Sequence, residues 1–109
     1  MGANGLLVCY GLRWQVGPGE VDLLERRQDP RQRAAKRHML QSWWGVTTDP
    51  RTYVLLVGRL VGNFGWEGDH AARLTDAEAA AIAEETKARL KEAGLEGEPA
   101  WHYQFELDY

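Results

Sequence analysis

The last nine residues of the chain alternate between large apolar side chains and hydrogen-bonding ones. The apolar set is Trp101, Tyr103, Phe105, Leu107 and Tyr109, and the polar set is His102, Gln104, Glu106 and Asp108. A period of two indicates a half-buried β-strand, because successive side chains of a strand point to opposite faces of its sheet. The pattern predicts a final strand that closes the domain and presents His102, Gln104 and Glu106 on one face.

A second long alternation near the N-terminus predicts another strand. Leu6, Val8, Tyr10, Leu12, Trp14 and Val16 alternate with Leu7, Cys9, Gly11, Arg13 and Gln15. Residues 43–48 and 53–61 are rich in β-branched and aromatic side chains and predict a hairpin of two further strands. Glycines follow at 62, 65 and 68, and they predict a loop or irregular hairpin. A fifth strand over Phe64–Arg73 is the alternative.

Two helical regions separate these strands. Residues 20–41 predict a helix broken in two, because Asp29-Pro30 is an N-cap carboxylate followed by proline at the first helical position. Residues 75–93 predict the longest helix, in which Thr75 and Glu78 form a capping box.

The resulting order, with one broken helix, is β, α, β, β, α, β. It predicts a single α+β domain over residues 1–109, a ferredoxin-like βαββαβ two-layer sandwich. Its four-stranded antiparallel sheet would have the order 4-1-3-2, with the helices on one face. The aromatic side chains of the first and last strands are expected to point at those helices: Tyr10, Trp14, Tyr103 and Phe105.

The uncovered face of that sheet would carry a mixed set of side chains. Leu7, Cys9, Val54 and Leu56 supply its apolar part, unless a bulge at Gly58 shifts the third strand. Apolar surface left in water costs roughly 25 cal/mol per Å², and a symmetric dimer is the commonest oligomer. We therefore expect a homodimer packed through this face.

Polar residues of the same face form the candidate ligand-binding site. They are Arg13, Gln15, His102, Gln104 and Glu106. Enclosed between two sheets, His102 would act as a general base, Arg13 would hold a carboxylate or oxyanion, and Glu106 would orient the histidine. The alternative is that all of them are ordinary solvent-facing residues of an edge strand.

Charge is distributed unevenly along the chain. Residues 1–59 carry nine Lys/Arg against five Asp/Glu, and residues 60–109 carry four against eleven. The basic excess is concentrated in residues 26–37, a pattern that suits phosphate or nucleic acid. Because the whole chain has a net charge of −3, we favour solvated helix faces, and nucleic acid is not expected as a partner.

Other chemistry is sparse. The lone Cys9 excludes an intrachain disulfide framework and a multi-cysteine zinc site. Glu67, Asp69 and His70 share a glycine-rich loop that we interpret as solvated rather than metal-binding. The chain contains no nucleophile elbow, metalloprotease or phosphate-loop motif, so neither a metal nor a cofactor is expected.

The longest mostly apolar run, Tyr53–Val61, includes Arg59 and is too short to cross a bilayer. Without a leader pattern at the N-terminus, the expectation is a cytoplasmic, bacterial protein with no membrane contact.

Three functions compete, and the sequence does not decide whether the chain is an enzyme. The favoured one is a small non-catalytic binding or regulatory module that acts as a homodimer and engages a protein partner. The alternative is a small-molecule-binding protein or enzyme of the dimeric α+β barrel type, which uses the open sheet face. The third is nucleic-acid binding through the basic helix 26–37.

Overall fold

The structure, a computed structural model, describes residues 5–46, 52–65 and 71–106. Its elements are β1 (Gly5–Val16), a single 3₁₀ turn (Pro18–Glu20), α1 (Val21–Glu25), α2 (Pro30–Arg37), β2 (Gln41–Val46), β3 (Tyr53–Gly65), α3 (Asp76–Glu92) and β4 (Ala100–Glu106). The four strands form one antiparallel sheet in the order β2-β3-β1-β4. The prediction of a small α+β domain with a four-stranded antiparallel sheet is confirmed.

The sheet is staggered, and only β1 and β3 run along its whole length. β4 pairs with the first part of β1, Gly5–Gly11. β2 pairs with Tyr53–Gly58 of β3, which lies opposite the other part of β1, Gly11–Val16. The sheet therefore has two three-stranded halves, which we call the β4 half and the β2 half.

The two halves meet where Gly11 pairs with Gly58. A Cβ atom on Gly11 would overlap the carbonyl oxygen of Val57, and one on Gly58 would overlap that of Tyr10. Only glycine allows the two backbones to approach so closely. The alternative bulge at Gly58 is wrong: the register shifts further along, where Cys9 pairs with Leu60 and Val8 with Gly62, which leaves residue 61 as the extra one.

The helices pack on the face that carries the even-numbered side chains of β1. The buried core there joins Leu12, Val16, Leu24, Ala35, Leu40, Leu55, Val57 and Leu90, with Trp14, Trp44, Tyr53 and Leu95 packed against it. All strand members of this core lie in the β2 half. The helical layer therefore stabilises mainly one half of the sheet.

The start of α2 follows the prediction, but its end does not. Asp29 accepts a hydrogen bond from the Arg31 backbone N–H at 2.9 Å, as an N-cap residue does. The helix ends at Arg37 rather than near Gln41, because Met39 adopts a left-handed conformation with φ 57°. The Leu40 N–H then donates to the carbonyl of Ala35 at 2.8 Å and closes the helix end.

Both ends of α3 are confirmed. Thr75 and Glu78 form the predicted capping box, and Gly94 takes a φ of 74° after the last turn. Further along the helix, Glu85 and Arg89 form an ion pair at 2.6 Å. No helix among the described residues combines the length and apolar character that crossing a bilayer requires.

β3 is longer than its sequence suggests. It continues past Val61 to Gly65, so Gly62 and Gly65 are strand residues and not part of a loop. They stay in the strand because β1 continues to pair with them as far as Gly5. The segment proposed as a separate fifth strand therefore begins inside β3.

β4 has the predicted alternation but not the predicted burial. Tyr103 is 68% exposed and Phe105 48% exposed, although they lie on the same side of the sheet as Tyr10. The expectation that they pack against helices is wrong, because β4 pairs with the half of β1 that the helical core does not cover. Among the described aromatic residues of β4, Trp101 packs edge-on against Tyr10, with 5.0 Å between the ring centroids.

Candidate functional site

The five site residues predicted from the sequence lie on the face of the sheet opposite the helices. Arg13 and Gln15 pair with Leu56 and Val54 in the β2 half. The other three are in β4, where their partners are Cys9 for His102, Leu7 for Gln104 and Gly5 for Glu106.

This common face does not bring the five residues to one point. Four strand steps of about 3.3 Å separate Arg13 from Cys9, the partner of His102, so the two halves of the set stand about 13 Å apart. A ligand that contacted both would have to be an elongated one.

His102 already has a partner within the chain. Its Nε2 lies 3.0 Å from the backbone carbonyl oxygen of Gly11. Because a carbonyl only accepts, Nε2 carries the proton and donates, and only Nδ1 of the neutral ring remains free to act as a base. The hydrogen bond ties β4 to β1 at the position where the two glycines meet.

The apolar residues of this face are not open to solvent. Leu7 is 3% exposed, Cys9 1%, and Val54 and Leu56 0%. On the same face, the ring of Trp43 occupies the space next to Gly45 where a side chain would otherwise stand. The reason for expecting a face-to-face dimer, exposed apolar surface, is therefore absent.

Cys9 has the chemistry of a structural thiol. Burial raises its pKa to about 12, because a thiolate would lose its hydration in this environment. At neutral pH the group is therefore a neutral thiol and a poor nucleophile.

The predicted acidic loop of Glu67, Asp69 and His70 lies outside the described residues. Within the ranges that the structure describes, no group of three His, Cys, Asp or Glu side chains is close enough to hold a metal ion.

The basic segment 26–37 separates into two kinds of residue. Arg31 is structural: it binds Asp29 and Glu20 at 2.9 Å each, and its guanidinium carbon lies 5.3 Å from the centroid of a Trp14 ring. The hydrogen bond from Arg31 lowers the pKa of the buried Asp29 carboxyl. Arg26 forms an exposed pair with Asp22 at 3.2 Å.

The other basic side chains of the segment are exposed and form no ion pair with any described residue. They are Arg27, Arg33, Lys36 and Arg37. Arg33 and Lys36 lie one turn apart on α2, which places them on the same side of the helix.

Three of these cations line a cavity of about 460 Å³ between α2 and the sheet edge. Its lining comprises Arg27, Gln32, Arg33, Lys36, Leu40, Gln41, Ser42 and Leu60. A neighbouring cavity of about 300 Å³ shares Arg27, Gln32 and Ser42 and extends to Leu24, Glu25, Trp43 and Trp44. Because the two share three residues, we treat them as one channel, the β2 groove, defined by these two sets.

Local backbone structure holds the groove in shape. Gln32 donates from Nε2 to the Leu24 carbonyl at 3.2 Å and so fixes the elbow between α1 and α2. Arg27 ends α1 in a left-handed conformation with φ 58°, which is uncommon for a residue other than glycine. The chain thus keeps an arginine at the elbow, where glycine would fit the backbone better.

The sequence alone indicated part of the β2 groove. The run of basic residues at 26–37 marks the segment, but the pair of Arg31 with Glu20 and the adjacency of α2 to β2 depend on the fold. Comparison of the chain with protein-family models, curated proteins and solved structures gives no significant match.

Proposed function

We propose that this chain is a small non-catalytic binding module that regulates or assists a protein partner by docking it in the β2 groove. The observation that carries the proposal is the set of three cations, Arg27, Arg33 and Lys36, along the groove wall. Their charges are not neutralised by other described residues, and the only carboxylate in the groove lining is Glu25.

A groove with an excess of positive charge favours the approach of an acidic partner. Low-dielectric walls concentrate the electric field in a cleft, which raises the local concentration of an oppositely charged partner and its rate of association. Arg31 and Arg26, by contrast, form ion pairs within the chain. This division between paired and unpaired cations within one short segment supports docking rather than simple solvation.

Affinity purification with matched variants tests the proposal. The groove variant is Arg33→Glu/Lys36→Glu, and the control is Lys87→Glu/Lys91→Glu, an equal charge change on the exposed side of α3. We expect proteins captured by the wild type and the control to be lost from the groove variant. Identical capture by all three chains would reject a role for the groove.

The homodimer predicted from the sequence remains part of this proposal, now with a different interface. The exposed rings of Tyr103 and Phe105 lie on β4, an edge strand that pairs only with β1 among the described residues. Two copies of β4 paired about a two-fold axis would bury these rings and satisfy the strand edge. The ferredoxin-like classification also belongs here, supported by the strand order and by helices on one face.

Sedimentation velocity tests the dimer. We expect a dimer for the wild type and a monomer for Tyr103→Ser/Phe105→Ser. The control Met39→Ser, which changes another exposed apolar residue away from β4, should stay dimeric. A wild-type monomer across the micromolar range would reject this interface and leave the groove proposal standing.

A further inference from the structure

We infer that the ligand of the β2 groove is an acidic protein segment in extended conformation, which adds to the sheet as a strand beside β2. This inference rests on the proposed function and specifies the partner. It combines two features of the groove: a strand edge on one side and unpaired cations on the other.

The strand edge supplies the backbone part of the recognition. β2 pairs only with β3 in the part of the chain that the structure describes. In an antiparallel ladder, alternate residues of an edge strand direct their N–H and C=O groups away from the sheet. An added peptide strand would satisfy these groups, which is the mode of recognition known as β-augmentation.

β2 lacks the residues that usually prevent such pairing. Edge strands are commonly protected by proline, by lysine or by other charged side chains. Residues 41–46 contain none of these, since their sequence is Gln-Ser-Trp-Trp-Gly-Val. The charges stand instead across the groove on α2 and its elbow, where they face an incoming strand rather than block it.

The cations of the groove determine the sign of the charge that the ligand must carry. Arg33 and Lys36 are separated by about 4.5 Å along the helix axis, whereas side chains on one face of a strand recur about every 6.6 Å. Long, flexible basic side chains can accommodate this difference. A segment with acidic residues at alternate positions therefore places its carboxylates toward α2 and its other side chains on the opposite face.

Nucleic acid fits these observations less well. The cations line only one wall, and the other wall is formed by strand residues such as Ser42, Trp43 and Trp44. The chain as a whole has a net charge of −3, which repels a long polyanion more strongly than a short acidic peptide with few charges.

The direct test uses fluorescence anisotropy with short labelled peptides that alternate Glu and Val. We expect the Glu-Val peptide to bind the wild type and the Lys87→Glu/Lys91→Glu control. Arg33→Glu/Lys36→Glu should weaken binding by about tenfold or more, and the Lys-Val peptide should not bind. Two-dimensional NMR should place the largest amide shifts in β2 and α2.

Backbone methylation of the peptide separates strand addition from simple charge attraction. Two Glu-Val peptides are compared, one N-methylated at its odd-numbered residues and the other at its even-numbered residues. Both keep their charge, but in one of them the methylated N–H groups are those that would donate to the β2 edge. We expect that peptide to bind about tenfold more weakly than the other. Equal binding by both methylated peptides and the unmethylated one would overturn the inference.

Two further outcomes would also overturn it. One is no binding of any acidic peptide. The other is tighter, groove-dependent binding of a single-stranded oligonucleotide. In the first case, groove-dependent capture of a protein in the purification above would still support the proposed function, so the two proposals can fail separately.

Discussion

β2 and β4 are both edge strands, yet they lie at opposite ends of the long β1–β3 pair and have different surroundings. Beside β2 stand α1 and α2, which complete a buried core and form a cationic groove. β4 lies beyond the helical core and exposes Tyr103 and Phe105. The apolar–polar alternation of β4 thus does not by itself bury its rings, because the helical layer and not the strand pattern decides which half of the sheet is covered.

The largest loss of unfolding free energy is expected at Gly11, where the two halves of the sheet meet. Gly11→Ala places a methyl group against the backbone of β3, which cannot move aside without breaking the strand pairing. We expect the free energy of unfolding to fall by about 3 kcal/mol or more, measured by urea denaturation. Gly19→Ala, which meets no atom within 4 Å, is the control and should change it by less than about 0.5 kcal/mol.

Truncation of one apolar side chain in each half measures the difference between them. Leu55→Ala removes a fully buried core residue of the β2 half and should cost about 2–5 kcal/mol. Phe105→Ala in the β4 half should cost less than about 1 kcal/mol in the monomer, despite the larger side chain, because the ring is half exposed. Equal losses of unfolding free energy would mean that the β4 half is covered as well as the other.

The pH dependence of the β2 half is expected to involve Asp29. Its folded pKa is lowered, chiefly by the Arg31 hydrogen bond, so its contribution is full above the ordinary carboxyl pKa and is lost as pH falls through the depressed folded value. Asp29→Asn keeps a capping oxygen but loses the charge. We expect it to be about 1 kcal/mol less stable at pH 7, with a smaller loss of stability between pH 5 and pH 2, in urea titrations. A loss as steep as that of the wild type would assign the acid sensitivity to other carboxylates.

The smallest change in stability is expected for two glycine substitutions, which together distinguish an effect on stability from an effect on binding in the groove. Arg27→Gly and Met39→Gly both place glycine at a left-handed position and should raise the unfolding free energy by about 0.5–1 kcal/mol. Only Arg27→Gly removes a cation of the β2 groove, so it alone should weaken capture of an acidic peptide. If both variants bind equally well, Arg27 has no role in the groove.

Sequence reasoning succeeded where a feature depends on neighbours in the chain. The caps at Asp29 and Thr75 are of this kind, because the residues involved are within one turn of each other. It failed where distant segments decide the outcome. The extension of β3 to Gly65 needs β1 as a partner, and the exposure of Tyr103 depends on where the helices stop.

The candidate site shows the same division. Alternation placed Arg13 and His102 on a common face, but the spacing along β1 and the hydrogen bond of His102 to Gly11 follow only from the strand register. Residues 26–37 were visible as a basic run. The pairs Asp22–Arg26 and Asp29–Arg31 are local, whereas the contacts of Arg31 with Glu20 and Trp14 follow only from the fold.

The buried thiol of Cys9 gives the molecule a chemical reporter of its own motion. It is the only cysteine in the chain, it lies in β1 between β3 and β4, and its pKa of about 12 leaves it unreactive in the closed state. A thiol reagent can therefore modify the protein only when a local opening exposes the buried Cys9 side chain. The alkylation rate, followed by mass spectrometry without any substitution, would measure how often the structure around Cys9 opens under native conditions.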